Sequence, residues 1–218
     1  KFASWVLTSR DSSHSLFNLT IDYWFDTFVL LDRVVQYATC HNVQHLTMLH
    51  LNSCFEEPSI DIEYLSSIFY CQTLTSLNLC FESNPSEVKL PKSLHLPALK
   101  SLILQNFYFT ANDNGCVEPF SNCHVLSTLF LGYRYLREDV LCISNLTLSI
   151  LTLKQAGFDT RNSQIVLCTP NLSYCNINRF YGLKLSSTCN LSFIREVNMD
   201  MWGMSGSTII SCLQVFVN

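Results

Sequence analysis

One spacing of apolar residues, apolar-x-x-apolar-x-apolar, recurs along this chain. It reads Leu16-Leu19-Ile21, Val43-Leu46-Met48, Leu74-Leu77-Leu79 and Leu99-Leu102-Leu104, then Leu126-Leu129-Leu131, Leu148-Leu151-Leu153, Leu172-Cys175-Ile177 and Ile194-Val197-Met199. The eight copies begin at positions 16, 43, 74, 99, 126, 148, 172 and 194, with steps of 27, 31, 25, 27, 22, 24 and 22 residues. In six of the eight copies a polar residue separates the last two apolar positions, the period-two signature of a strand with one buried face. The second copy has two phases: Leu46-Leu49-Leu51 fits as well as Val43-Leu46-Met48. One such unit cannot shield its own apolar face, but stacked units share a continuous core and join their short strands into a parallel sheet.

The segments between copies are returns of mixed type. Asp26 to Asn42 reads as a helix, with Asp26 placed to cap its start, Phe28, Leu31, Val34, Val35 and Ala38 along one face, and Asn42 able to end it. Ile60, Tyr64, Leu65 and Ile68 suggest a second, shorter helix. Later returns carry β-like runs such as Ile165-Val166-Leu167 and Leu183-x-Leu185. Phe81 to Lys92 and Thr110 to Pro119 read as surface loops, being rich in Asn, Ser, Asp or Pro.

These readings predict an α/β fold, a leucine-rich-repeat solenoid of about eight irregular repeats. It would be a curved stack with a parallel β-sheet on its concave face and mixed helix, strand and loop returns behind it. The expected division is a single repeat domain over 1–218, with an N-terminal cap at about 1–15, repeats at about 16–202 and a truncated tail at 203–218. Trp5, Trp24 and Trp202 fall near the two ends and are expected to seal the terminal strands.

Composition narrows the function. The chain is 48% hydrophobic and 14% charged, with a net charge of −4. Its thirteen basic residues are scattered, which predicts no nucleic-acid footprint. No apolar run reaches the length of a membrane helix. With six glycines and no phosphate-cradling loop, no Gly-x-Ser-x-Gly and no zinc-hydrolase spacing among six histidines, catalysis is not expected. The eleven cysteines include no Cys-x-x-Cys pair, so no metal site or cofactor is expected. The thiols read as reduced core residues of a cytoplasmic or nuclear protein. Four Asn-x-Ser/Thr sequons, at Asn18, Asn145, Asn171 and Asn190, occur at about the frequency chance provides.

Several stretches go beyond the generic repeat. They are Phe2-Ala-Ser-Trp-Val-Leu-Thr-Ser-Arg-Asp-Ser-Ser13, Tyr37-Ala-Thr-Cys-His-Asn-Val-Gln-His-Leu46, Cys71-Gln-Thr-Leu-Thr-Ser-Leu-Asn-Leu79, Leu90-Pro-Lys-Ser-Leu-His-Leu-Pro-Ala-Leu-Lys-Ser-Leu102, Glu118-Pro-Phe120 and Leu141-Cys-Ile-Ser144. Together they resemble the repeat region of plant F-box/LRR-repeat proteins, from about Phe2 to Met199. The resemblance implies a target-presenting module of a Skp/cullin/F-box (SCF) ubiquitin ligase. In that family an N-terminal F-box docks a Skp-type adaptor. No F-box is seen in this sequence, so adaptor binding is expected only if one precedes Lys1, and no residue here is assigned to it.

The implied partner is a target protein on the concave face. Strand spacing puts Ile103, Gln105, Thr128, Phe130, Tyr133, Ile150, Lys154, Tyr174, Asn176 and Arg179 there as candidate contacts. Ile103, Phe130, Ile150 and Tyr174 stand out, because neighbouring repeats would gather them into an apolar cluster on a polar surface.

Overall fold

The structure, a computed structural model, describes residues 16–22, 28–51, 62–81, 89–109, 116–133, 140–155, 163–179, 183–200 and 205–217. Every copy of the apolar motif forms a strand. These are β1 (Asn18–Asp22), β2 (His45–Leu51), β3 (Ser76–Phe81), β5 (Ser101–Gln105), β8 (Thr128–Tyr133), β10 (Ile150–Gln155), β12 (Tyr174–Asn178) and β14 (Glu196–Asp200). They pair in that order into one parallel eight-stranded sheet. The register follows the motif: Leu19, Leu46, Leu77, Leu102, Leu129, Leu151, Cys175 and Val197 face one another strand by strand. The row behind them runs Ile21, Met48, Leu79, Leu104, Leu131, Leu153, Ile177 and Met199. From Leu46 to Ile177 both rows are buried; the terminal strands β1 and β14 are half-buried, each having one neighbour in this sheet. The chain is a leucine-rich-repeat solenoid.

Strand entry is stitched by hydroxyls. Thr75, Ser127, Ser149 and Ser173 each follow the first leucine of a motif. Each donates its side-chain O–H to a carbonyl of the preceding repeat, at 3.0–3.1 Å. The backbone N–H groups of the same residue and the next donate to that carbonyl as well, as Ser149 and Ile150 do to Ser127. The parallel register is thus pinned where each strand begins.

The second copy follows its first phase, with Leu49 only half-buried. Val43, Leu46 and Met48 are buried in register with their neighbours, and a register shift between Met48 and Leu51 then turns Leu51 into the core as well. The predicted helix is α1 (Phe28–Cys40), whose residues Leu31, Val34, Val35 and Ala38 pack inward. Asn42 ends it at φ 51°, with Val43 N–H donating to Ala38 and Asn42 N–H to Thr39, a Schellman closure. Asp26 lies outside the described residues, as do Ile60 and all three tryptophans. The second return is a 3-10 helix, η1 (Ile62–Tyr70), burying Leu65 and Ile68; their three-residue spacing suits three residues per turn.

The later returns build a second parallel sheet. β7 (Cys116–Val117), β9 (Val140–Ser144), β11 (Ser163–Cys168) and β13 (Leu183–Ser187) lie side by side in that order, and β4 (Lys89–Leu90) pairs with β6 (Tyr108–Phe109). The two expected surface loops therefore have structured ends. Phe81, Leu90, Val117 and Pro119 are buried, because these ends re-enter the stack. The segment expected as a truncated tail carries helix α2 (Gly206–Gln214). Ser205 caps it by accepting from Thr208 N–H, and Cys212 is its buried contact.

Candidate functional site

Strand alternation turns the even members of each motif away from the core onto the concave face. Register arranges them in rows. One row runs Asn18, His45, Ser76, Ser101, Thr128, Ile150, Tyr174 and Glu196. The next runs Thr20, Thr47, Asn78, Ile103, Phe130, Thr152, Asn176 and Asn198. Ile103 thus lies directly beside Phe130, and Ile150 directly beside Tyr174. The two pairs sit in adjacent rows and form a diagonal apolar stripe among Ser, Thr and Asn. Ile150 is 39% exposed; Ile103, Phe130 and Tyr174 are half-buried.

Polar anchors surround the stripe. The Tyr174 hydroxyl accepts from Asn198 Nδ2 at 3.1 Å, and Asn198 also donates to Glu196 at 2.9 Å. Asn78 Oδ1, one place along from Ile103, is buried without a donor among the described residues. Gln105 pairs with Gly132, which in turn pairs with the exposed Lys154.

Two candidate contacts lie at or just past a strand end. Tyr133 closes β8 and pairs with the buried Gln155; its side chain lies outside those described. By strand parity the position that follows Phe130 is Gly132. Arg179 lies just beyond β12, in the left-handed region at φ 56°. Its N–H donates to Asp200 O at 2.8 Å, and its guanidinium reaches the Asp200 carboxylate at 3.9 Å with both side chains at least half exposed. It therefore marks the rim of the face. Gly132 was missed and matters. A Cβ there would lie 3.2 Å from Gln105 Cγ and 3.3 Å from Phe130 Cε1, so its bare backbone leaves room for the Phe130 ring to lie against it.

Away from this face, the described residues hold one cluster of metal-ligating type. The sulfurs of Cys116 and Cys142 and a carboxylate oxygen of Glu118 lie within 4.8 Å of one another. The two cysteines form a disulfide between β7 and β9, their Cα atoms 6.5 Å apart. The expectation that all thiols are reduced fails for this pair. A partner 26 residues away, one repeat along, leaves no short-range motif to read. Other thiols do behave as core. Burial pushes the Cys175 thiol up to about 12 and that of Cys123 up to about 11, the latter despite a hydrogen bond with Leu96. Burial also raises the Cys212 thiol.

The sequons separate by burial. Asn145 is buried, and its Nδ2 donates to Phe120 O at 3.2 Å and Cys123 O at 2.8 Å, which leaves it unable to carry a glycan. Asn171 is exposed but donates to Leu146 O at 2.7 Å. Among the described residues no helix is long and apolar enough to cross a membrane.

The parallel sheet, its stitched entries and its apolar stripe define the class as a leucine-rich-repeat solenoid. The family model described as "FBD-associated F-box protein At5g56370, LRR repeats" matches residues 31–214. The chain belongs to this family of F-box-associated leucine-rich-repeat proteins, as its motifs indicated. Three curated Arabidopsis thaliana relatives illustrate the likeness. Putative F-box/LRR-repeat protein At5g25860 is 31% identical over 144 residues, 64% of this chain and 32% of the relative. Putative F-box/LRR-repeat protein At3g59170 is 28% identical over 186 residues, 78% of this chain and 37% of the relative. Putative F-box/FBD/LRR-repeat protein At1g16940 is 26% identical over 211 residues, 88% of this chain and 46% of the relative. The chain thus spans less than half the length of each. No solved structure matches it.

Proposed function

We propose that this chain is the target-recognition region of an SCF-type ubiquitin ligase adaptor and binds a target protein on its concave sheet. The observation that carries this reading is the diagonal stripe of Ile103, Phe130, Ile150 and Tyr174 on an otherwise polar sheet. Aromatic and aliphatic groups gathered this way form the anchors of protein interfaces, with polar surroundings supplying hydrogen bonds. An open sheet suits a broad protein surface better than a small substrate, so the module works by presentation and not by catalysis. Membership of a family of F-box-associated repeat proteins supports this reading, on which the chain acts in the cytoplasm or nucleus. A Skp-type adaptor is engaged only through an F-box.

Proximity labelling with the full-length protein tests the reading. Replacing Phe130 and Ile150 by Asp should deplete a specific set of labelled proteins and leave a Skp-type adaptor labelled. Replacing the exposed Gln164, on the return sheet, should leave both unchanged. Loss of the same set from the Gln164 variant would contradict a concave site. Labelled targets without any Skp-type adaptor would instead favour a repeat scaffold or decoy that does not deliver ubiquitin. A secreted repeat domain would show neither.

A further inference from the structure

We propose that Cys116 and Cys142 are a reversible modification site, a thiol–disulfide couple on the outer side of the return sheet. Small disulfides such as oxidised glutathione would close it, and its state would decide how firmly strand β7 is held. This goes beyond target recognition and does not rest on it.

The fold brings the pair together by register. Cys116 lies opposite Val140 and Val117 opposite Leu141, so Cys142 is the next residue on the same face as Cys116. Alternation buries Val117, Leu141 and Ile143 and leaves Cys116, Val140 and Cys142 only half-buried. The Cα separation of 6.5 Å is within the reach of a bridge. The pair is therefore accessible to a small reagent, whereas Cys123 and Cys175 are wholly buried. Thiol exchange needs both access and thiolate, which selects the pair over the core thiols.

The placement gives the bond a consequence. β7 has two residues and is the edge strand of its sheet, so little backbone pairing holds it. The bridge spans 26 residues and encloses β8, the strand that carries Phe130. It ties two successive returns together behind that strand. Glu118 tempers the chemistry, because its exposed carboxylate lies near both sulfurs and a negative charge there disfavours the attacking thiolate.

Atoms and electrons balance through exchange. One cysteine thiolate attacks oxidised glutathione, forming a mixed disulfide and expelling one glutathione thiolate. The second cysteine, deprotonated, attacks the protein sulfur and expels the other. Two protein thiols become one disulfide, one glutathione disulfide becomes two glutathione thiols, and the two protons end on the latter.

The test uses the full chain, fully reduced and then equilibrated in glutathione buffers of increasing oxidised fraction. Peptide mapping should find Cys116 joined to Cys142 while Cys175 stays reduced. Hydrogen exchange at Val117 and Glu118 should be about tenfold or more faster in the reduced protein, with β8 unchanged. Cys116→Ser and Cys142→Ser should each show the faster exchange in oxidising buffer. Glu118→Gln should form the same bridge at a higher rate. The proposal is overturned if Cys116 and Cys142 never pair while Cys175 stays reduced, or if exchange at Val117 ignores the redox state. It is also overturned if Glu118→Gln is no faster. Retention of one equivalent of Cd2+ by the reduced protein, lost in both Cys116→Ser and Glu118→Gln, would assign the cluster to a thiophilic metal instead.

Discussion

Replacing Asn145 by Ala tests how one repeat is clamped to the one before it. Asn145 is 5% exposed and uses both ends of its amide. Nδ2 donates to Phe120 O and Cys123 O in the preceding repeat, while Oδ1 accepts from Thr147 N–H at 2.9 Å and lies 2.9 Å from the Thr147 hydroxyl. The two carbonyls are not orphaned by the change, because Phe120 O keeps Cys123 N–H and Cys123 O keeps Leu126 N–H, each at 3.1 Å. Thr147 is exposed, so water can replace its lost acceptor. The loss is then about 1 kcal/mol for each of two donations and less for the acceptor, about 2–3 kcal/mol in all. Asn145→Asp should cost at least as much, since it keeps the acceptor but turns a charge toward two carbonyls. Asn171→Ala is the control, with its single donated bond at an exposed site and an expected cost below about 1 kcal/mol. Urea titration followed by far-UV circular dichroism compares the three midpoints. An Asn145→Ala midpoint no lower than that of Asn171→Ala would refute the clamp.

Three further outcomes follow from the same geometry. Leu151→Ala should cost about 2–5 kcal/mol, whereas Ile150→Ala, one residue away on the opposite face, should cost under about 1 kcal/mol; equal losses in denaturant titration would break the strand assignment. Gly132→Val should cost about 1–3 kcal/mol by crowding Phe130 and Gln105, and an unchanged melting temperature would show that the face has slack. The buried thiols make stability fall at high pH. The folded chain keeps protons on Cys175 and Cys123 that an unfolded chain releases above the ordinary thiol value of 9.0, so their contribution is complete below pH 9 and declines toward pH 11–12. Melting temperatures between pH 8 and 10.5 should fall less steeply in Cys175→Ala than in the parent, and identical slopes would count against it.

The core of this fold could be read directly because its signal is local and repeated. Leu77 and Leu79, or Leu151 and Leu153, fix which way a strand faces, and eight such copies fix the stack. The concave face is the complement of that pattern, so Ile103, Phe130, Ile150 and Tyr174 were within reach, and even Gly132 could have been found by carrying the parity of Leu131 one step further. Other features depend on distances along the chain that no local pattern records. Cys116 meets Cys142 only after a full repeat, and the Asn145 clamp acts on carbonyls 22 and 25 residues earlier. Two-residue strands such as β4 and β7 are too short for periodicity to show. Helix α2 did carry a signal, a serine cap before Ile209, Ile210 and Cys212, that a reading tuned to leucine spacing passes over.

The claim that a protein partner lies across the apolar stripe is tested most directly by photo-crosslinking in the full-length protein. A photoreactive phenylalanine analogue would replace Phe130 on the concave sheet or Gln164 on the return sheet. Discrete high-mass adducts formed from position 130 and not from 164 are the predicted result. Adducts from 164 alone would place the partner on the other side of the solenoid and contradict the account.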